Sequence, residues 1–307
     1  MAGVVPITPA CSQSRACDAL SLQIGAVAVS LHADLPDIRQ EFAELYAAFP
    51  ECDAESHPFR IDVRRRRSPR SLRRHYHIVG NDEPLFTVQS TDAVMPHIEW
   101  AVNSLVARYL PHYFQIHASV LSRDGVGVLF PGTPGSGKST LAAALVKRGW
   151  SYLSDEFALI DPETLTLAPY PKALCIKAGS FSVLQRIGID VSARPGYRKG
   201  RKGRVALLNP LSIRPDAVGD ACTLGGVIFP TYDRRETPEL APMSRARALF
   251  ELTQTAFNFS KFRHEGIDLL GDALQDVKCY RLTSGKLTAC CDAIERALFA
   301  REMRAAS

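Results

Sequence analysis

A glycine-rich octapeptide places the tightest constraint on how this chain can fold. Residues 132–139 read GTPGSGKS and satisfy the pattern GxxxxGK[S/T]. The apolar, strand-like segment GVGVLF precedes the octapeptide, and an alanine- and leucine-rich helical segment follows it from Leu141 to Val146. The order strand, glycine loop, helix predicts a phosphate-binding loop, because glycines let successive backbone amides point at an anion at the helix N-terminus.

Each part of this loop has an expected task in nucleotide binding. Lys138 is expected to neutralise the β- and γ-phosphates, and Ser139 is expected to give a hydroxyl oxygen to Mg²⁺. ATP and Mg²⁺ are therefore the predicted cofactors. The predicted nucleotide contacts are Gly132, Thr133, Pro134, Gly135, Ser136, Gly137, Lys138, Ser139 and Thr140.

An acidic pair, Asp155 and Glu156, directly follows the strand-like segment SYLS. A doubly wound sheet presents such positions to its ligand crevice. The pair can supply a general base for phosphoryl transfer together with a metal ligand, or it can only hold Mg²⁺ or cap a turn. We predict Asp155 as base and metal ligand, and Glu156 as metal ligand.

Composition narrows the class of protein. With 307 residues, 46% of them hydrophobic and 22% charged, the chain is typical of a globular protein with one large domain or two modest ones. No apolar stretch approaches the roughly 18 to 20 residues of a membrane span. The N-terminal residues lack the apolar segment of a secretory signal peptide, and the eight cysteines form no CxxC pair. We therefore expect a cytoplasmic protein with reduced thiols and no membrane partner.

Hydrophobic periodicity predicts an α/β fold in two parts. A small N-terminal α/β region, residues 1–92, is predicted to hold a strand over Leu22–Leu31, a helix that ends near Phe49, and strands in HPFRIDVRRRR, RRHYHIVG and LFTVQS. A catalytic domain, residues 93–307, is predicted to begin with a helix over 93–109. Its further elements are strands at 173–177, 224–229 and 279–282, and helices near 245–255 and 287–303.

Two basic segments stand out from a net charge of +5. Residues 60–74 hold eight arginines but only Tyr76 nearby for stacking, and they match no nucleic-acid-binding fold. We therefore do not expect nucleic acid as a partner, and we interpret this segment as a solvated connection or a dock for an acidic peptide. The glycine-punctuated segment 194–204 is predicted to be a loop, either a solvated one or a lid over the triphosphate.

Together, His117, the glycine loop and the acidic pair resemble the catalytic domain of HPr kinase/phosphorylase over about residues 112–162. The resemblance implies a P-loop kinase core, with Asp155 as the general base that deprotonates a serine hydroxyl. It also implies a catalytic role for His117 beside Asp155, and assembly into homo-oligomers. Without the resemblance, a histidine on an apolar strand is more often a structural residue.

The chain also departs from that family. The family's Glu-Ile-Arg-Gly type segment has no clear counterpart, and the nearest region reads CIKAGSF. Lys177 in that region is either a cationic phosphate contact or a solvated lysine. Reverse phosphorylase activity is therefore not expected.

Outside the matching segment, the chain looks more like divergent relatives that phosphorylate a serine of a ribosomally made precursor peptide of the lasso-peptide type. We expect an ATP-dependent serine kinase that acts on a peptide or protein. The alternatives are a small-molecule kinase on the same fold and a regulatory ATP-binding module without transfer activity.

Overall fold

A computed structural model describes residues 19–52, 58–67, 74–191, 196–198, 203–233 and 237–303. Within these residues the chain is a mixed α/β protein, which confirms the predicted class. None of the helices in the described part is long and apolar enough to cross a membrane.

The described N-terminal residues form a five-stranded sheet in the order β1-β2-β3-β4-β5. Strands β2 and β3 are parallel, and the other neighbours are antiparallel. Two helices pack on this sheet and contact one another. The elements are β1 (Leu20–Ile24), β2 (Val27–Ala33), α1 (Pro36–Leu45), β3 (Phe59–Arg67), β4 (Arg74–Gly80), β5 (Glu83–Val88) and α2 (Val94–Tyr109).

Two N-terminal predictions are wrong in detail. The single strand predicted over Leu22–Leu31 is a hairpin of β1 and β2, because the chain turns at Gly25, whose φ is 61°. The first helix ends at Leu45 rather than near Phe49, because Tyr46 has left the helical conformation. The two arginine-bearing strands are found as predicted.

From Phe114 onward the described chain contains further strands and helices. The elements are β6 (Phe114–Arg123), β7 (Val126–Pro131), α3 (Lys138–Lys147), β8 (Ser151–Ser154), β9 (Phe157–Ile160), β10 (Thr166–Ala168), β11 (Leu174–Lys177), α4 (Phe181–Arg186), β12 (Tyr197–Arg198), β13 (Arg204–Leu208), β14 (Cys222–Tyr232), β15 (Glu239–Pro242), α5 (Arg245–Thr253), α6 (Phe259–Phe262), α7 (Glu265–Ala273), β16 (Lys278–Ser284) and α8 (Leu287–Met303).

The central sheet runs in the order β10-β9-β6-β7-β14-β16-β15, with β8 paired to β6 and β10 also paired to β14. Its middle strands β7, β14 and β16 are parallel neighbours. Their carboxyl ends therefore meet at one edge of the sheet, where α/β folds bind their ligands. A smaller sheet in the order β11-β13-β12 lies beside it.

Three apolar cores hold these layers together. One joins α3 and α8 to a face of the central sheet around Trp150, and another joins α5 and α7 to the opposite face. The third joins the N-terminal sheet, α1 and α2 to Phe157 and Tyr170 of the following part of the chain. Helix α2 therefore packs on the N-terminal sheet. The boundary between residues 92 and 93 stays a prediction.

The second basic segment is not wholly a loop. Tyr197 and Arg198 form β12, which pairs with Val205 and Arg204 of β13. The Tyr197 ring is buried and its hydroxyl donates to Glu41, so α1 anchors this strand. The remaining basic residues, Arg194, Lys199, Arg201 and Lys202, lie outside the described residues.

Candidate active site

The glycine-rich loop connects β7 to α3 at the carboxyl edge of the central sheet. Gly135 and Gly137 have φ values of 104° and 93°, a region that side chains with a Cβ rarely adopt. The amide of Ser136 donates to the carbonyl of Thr133 at 3.2 Å, which closes the turn. This loop conformation therefore requires glycine at both positions.

The Lys138 side chain is buried and folds back over the loop. Its ammonium donates to the carbonyl oxygens of Gly132 at 2.5 Å and Thr133 at 3.2 Å. Only 7% of the residue is exposed. A buried cation of this kind stabilises an anion held within the loop, because little solvent screens the interaction.

The acidic pair lies in the bend between β8 and β9. The hydroxyl of Ser154, the last residue of β8, accepts hydrogen bonds from the amides of Glu156 at 3.4 Å and Phe157 at 3.2 Å. This side chain fixes the bend, and the bend directs Asp155 and Glu156 into the cleft beside the glycine loop.

Asp155 is the most perturbed carboxyl group of the site. Protein atoms enclose it densely, and this desolvation raises the pKa of its carboxyl to about 6. Hydrogen bonds from the hydroxyls of Ser119 and Ser139 and the charge of Lys138 oppose the rise, whereas the charge of Glu156 adds to it. The carboxyl is therefore mostly ionised at neutral pH but close to its titration range.

Ser119 is a site residue that the sequence reasoning missed. It is fully buried on β6, and its hydroxyl donates to Asp155. The available signal was its spacing from His117, because residues two apart in a strand share a face. A serine two residues after the candidate histidine, on the same face of a strand, could therefore have been predicted to lie near the site.

His117 lies in the same cleft as Lys138 and Asp155. Its amide donates to the carbonyl of Thr255 at 2.8 Å. Its ring packs at 5.6 Å from the ring of Phe257. The predicted proximity of the histidine to the loop and the acidic pair is thus observed, and its role stays a prediction.

The cleft brings most of the predicted residues together. The predicted residues that line it are His117, Pro134, Gly135, Gly137, Lys138, Ser139, Thr140, Asp155 and Glu156. The other three predicted loop residues do not line it. Gly132 and Thr133 hold the Lys138 ammonium through their carbonyls, and the buried Ser136 hydroxyl lies beside Gly132.

Lys177, the last residue of β11, also lines the cleft. Its ammonium is 4.0 Å from the point where a Cβ of Gly135 would stand. Nearby, the hydroxyls of Thr140 and Ser180 hydrogen-bond at 2.6 Å, which joins α3 to the segment after β11. This position favours the interpretation of Lys177 as a phosphate contact.

The oxygen ligands available in the cleft fit Mg²⁺. The Ser139 hydroxyl hydrogen-bonds to Asp155, so a hydroxyl and a carboxylate oxygen are already adjacent, with Glu156 in the same cleft. Among the residues described, no group of three or more His, Cys, Asp or Glu side chains could hold a metal ion. Mg²⁺ commonly binds in this way, through one or two carboxylates and substrate phosphates rather than a protein cage.

Comparison with known proteins identifies distant relatives over part of the chain. No family model matches it. The HPr kinase/phosphorylase of Nitrosomonas europaea is 36% identical over 88 residues, which are 28% of this chain and 27% of that protein. The chain is a distant relative of HPr kinase/phosphorylase. The HPr kinase/phosphorylase of Mycoplasmopsis pulmonis is 36% identical over 64 residues, 20% of this chain and 21% of that protein.

These alignments span about a quarter of the length of the HPr kinase/phosphorylase relatives. Among solved structures, the HPr(Ser) kinase/phosphatase from Coxiella burnetii matches with a TM-score of 0.31 and 14% identity. That match covers 63% of this chain and 99% of the Coxiella chain. The sequence matches to the two HPr kinase/phosphorylases confirm the predicted resemblance as a distant and partial relationship.

Proposed function

We propose that this protein is an ATP-dependent kinase that transfers the γ-phosphoryl group to a serine hydroxyl of a peptide or protein. One observation carries the proposal: Lys138, Ser139 and Asp155 line a single cleft beside a glycine loop in the left-handed conformation. This combination supplies what phosphoryl transfer needs, which is a phosphate cradle, a metal-binding hydroxyl and a base.

The loop residues 132–140 hold the triphosphate of ATP. Backbone amides of the loop and the Lys138 ammonium face the phosphate oxygens and stabilise the charge that develops during transfer. Ser139, Asp155 and Glu156 hold Mg²⁺. When bound, Mg²⁺ supplies charge neutralisation at the phosphates.

Asp155 is the general base in this proposal. The serine hydroxyl gives its proton to the Asp155 carboxylate, while the hydroxyl oxygen forms a bond to the γ-phosphorus. The bond from the γ-phosphorus to the bridging oxygen breaks, and ADP leaves with that oxygen. His117, in the same cleft, positions the acceptor or the carboxylate.

A serine-bearing peptide or protein is the acceptor that the relationship supports, because the relatives are, by name, kinases of the protein HPr. Within that class we favour a ribosomally made precursor peptide over HPr. We further propose that residues 93–307 form the catalytic unit, that residues 1–92 form a smaller unit packed against it, and that the protein assembles into homo-oligomers in the cytoplasm.

The test is a transfer assay with ATP labelled at the γ-phosphate, Mg²⁺ and a library of serine peptides, read by intact mass and by label. The test variant is Lys138→Ala. The matched control is Lys147→Ala, which changes an exposed lysine at the other end of the same helix. We expect transfer to a serine peptide by the wild type and the control, and a loss of at least about 100-fold in Lys138→Ala.

Two outcomes would redirect the proposal. Label transferred to a free metabolite in the absence of any peptide would indicate a small-molecule kinase on the same fold. Tight ATP binding with no transfer to any acceptor would indicate a regulatory nucleotide-binding module.

A further inference from the structure

The five-stranded N-terminal sheet has a polar face opposite the one that packs on α1 and α2. Ile61, Val63 and Ile78 are buried on the packed face. Successive residues of a strand point to opposite sides of a sheet, so the alternate residues of β3 and β4 lie on the polar face. The basic residues there, which we call the basic face, are Arg60, Arg64, Arg66, His75 and His77.

Side-chain contacts along and across the strands agree with this placement. Arg60 Nε is 2.9 Å from Asp62 Oδ2, and the Arg64 guanidinium is 3.8 Å from Asp62 Oδ1. The His77 ring on β4 hydrogen-bonds to the hydroxyl of Thr87 on β5 at 3.1 Å. These contacts join side chains that project from the same side of the sheet.

The basic face carries positive charge that its own carboxylate does not neutralise. Asp62 is only 5% exposed and pairs closely with Arg60. The Arg64 side chain contacts that carboxylate more loosely and stays 41% exposed. Arg66 is exposed, and no carboxylate in the described part of the chain forms an ion pair with it. Arg64 and Arg66 therefore present cations that are accessible to a partner.

The spacing of these two arginines matches an extended peptide. Arg64 and Arg66 are two residues apart on β3, so their side chains leave the sheet about 7 Å apart. Alternate side chains of an extended peptide repeat at the same distance of about 7 Å. Acidic residues at every second position of such a peptide can therefore each meet one arginine. Guanidinium groups suit this contact, because they bind carboxylates through two parallel hydrogen bonds.

The aromatic side chains of these strands do not belong to the basic face. Tyr76 is 4% exposed and lies on the face that packs on the helices. Phe86 is paired with Ile78 and lies on that packed face as well. Sheets that bind single-stranded nucleic acid stack its bases on aromatic rings. The basic face therefore favours a peptide with carboxylates over nucleic acid.

A layer of the fold separates the basic face from the candidate active site. Helix α2 packs on the other face of the sheet, and the Glu99–Lys172 ion pair joins it to the segment after β10. Because a sheet and a helix layer are each about 10 Å thick, the basic face is on the order of 20 Å from the cleft that holds Asp155. An extended chain spans about 3.3 Å per residue, so a peptide on both sites needs at least about six residues between them.

We propose that the basic face docks an acidic, extended segment of the acceptor, separate in sequence from the serine that is phosphorylated. This inference rests on the proposed kinase function and adds a recognition site remote from the chemistry. The docked segment holds the acceptor on the enzyme and does not touch the reacting atoms. Docking therefore lowers the KM for the acceptor rather than raising kcat.

The first test measures peptide binding without ATP, by fluorescence anisotropy at low salt. The probe is a labelled peptide of about ten residues in which glutamate alternates with threonine, and the same peptide with glutamine for glutamate is its uncharged match. Arg64→Gln combined with Arg66→Gln is expected to weaken binding of the acidic peptide at least about fivefold, as the loss of two exposed ion pairs predicts. The matched control is Arg65→Gln combined with Arg67→Gln. It removes the same charge from the other face of the same strand and should keep the affinity.

The second test measures phosphoryl transfer to a serine peptide with and without an acidic segment about ten residues from the serine. For the wild type, we expect a lower KM with the acidic segment. In Arg64→Gln combined with Arg66→Gln, the KM of the acidic acceptor should rise to that of the acceptor without the segment, with kcat retained. The control with Arg65→Gln and Arg67→Gln should keep the wild-type difference between the two acceptors.

Three results would overturn the docking proposal. These are equal weakening of acidic-peptide binding in the two double variants, equal binding of the acidic and glutamine peptides by the wild type, and a KM that does not depend on the acidic segment. Tight binding of a labelled single-stranded or duplex DNA, lost only when Arg64 and Arg66 are changed, would instead assign the basic face to nucleic acid. Failure of serine transfer to any acceptor would refute the kinase proposal, whereas the anisotropy measurement tests the basic face without transfer.

Discussion

The Ser119 hydroxyl, on β6, donates a hydrogen bond to the carboxylate of Asp155, which follows β8. Strands β6 and β8 are paired neighbours, so the hydrogen bond ties the bend that carries Asp155 to the central sheet. A carboxylate held in this way keeps its orientation toward the cleft. The hydrogen bond from Ser119 favours the ionised form of the Asp155 carboxyl, whereas desolvation of that carboxyl favours the protonated form.

Removing this donor should change the titration of Asp155. In the protein free of nucleotide and metal, Ser119→Ala is expected to raise the pKa of Asp155 above its value of about 6, because the hydrogen bond from Ser119 lowers it. The measurement is the titration of the ¹³C-labelled carboxyl group by NMR. The control is Ser122→Ala, on the same strand, whose hydroxyl contacts Cys222. An unchanged or lower pKa in Ser119→Ala would contradict this view of the site.

Asp155 should also lower the stability of the fold at neutral pH. Its folded-state pKa of about 6 lies above the ordinary value of 3.8, so the folded state binds the proton more tightly than the unfolded state does. The wild type therefore loses stability as pH rises from about 4 through about 6. Asp155→Asn, which carries no charge, is expected to be more stable by about 2 kcal/mol at pH 8.

Urea unfolding at a series of pH values, with EDTA present, measures this difference. The gap between Asp155→Asn and the wild type should shrink toward zero near pH 4, where the wild-type carboxyl is protonated in both states. A gap that is constant with pH would show that the stabilisation has another cause.

The left-handed backbone at Gly137 predicts a sharp dependence on glycine. Its φ is 93°, so Gly137→Ala is expected to strain the loop by about 1 to 2 kcal/mol and to weaken ATP binding at least about tenfold. Gly271→Ala is the matched control, because this glycine lies in α7 with no atom within 4 Å of an added Cβ. The control should keep ATP affinity and gain up to about 1 kcal/mol of stability. Equal ATP affinity in both variants would refute the role of the loop.

A buried ion pair joins α2 to the segment after β10. The Lys172 ammonium is 2.7 Å from Glu99 Oε2, and the Tyr46 hydroxyl donates to Glu99 Oε1 at 2.9 Å. Both charged residues are almost fully buried. The pair therefore connects the N-terminal helices to the part of the chain that carries Asp155.

Breaking that pair on one side should be costly. Lys172→Met leaves the Glu99 carboxylate buried without its cation, and we expect it to lower the free energy of unfolding by about 3 to 5 kcal/mol. Lys172→Met combined with Glu99→Gln should regain a large part of the loss, because no uncompensated charge remains. Arg247→Ala, which removes the exposed partner of Glu251, should change stability by less than about 1 kcal/mol. Urea unfolding measures all three, and a double variant that is no more stable than Lys172→Met alone would contradict the pairing.

The local patterns in the sequence predicted the fold and much of the site, because they depend on short stretches of chain. The glycine loop, its helix and the acidic pair lie within residues 132–156 and were predicted from spacing. Strand pairing was not predictable in this way, so the hydrogen bond from Ser119 and the turn at Gly25 were missed. Strand β12 was also missed, because the burial of Tyr197 against Glu41 depends on contact across the fold.

The measurement that tests the central claim most directly is single-turnover phosphoryl transfer by Asp155→Asn. It uses γ-labelled ATP and Mg²⁺ at saturation, the serine peptide that the wild type phosphorylates, and calorimetry to show that the variant still binds ATP. We predict a loss of transfer of about 100- to 10,000-fold at saturating ATP and Mg²⁺, as expected for removal of a general base. Transfer by Asp155→Asn within about tenfold of the wild-type rate would contradict the assignment of Asp155 as the base.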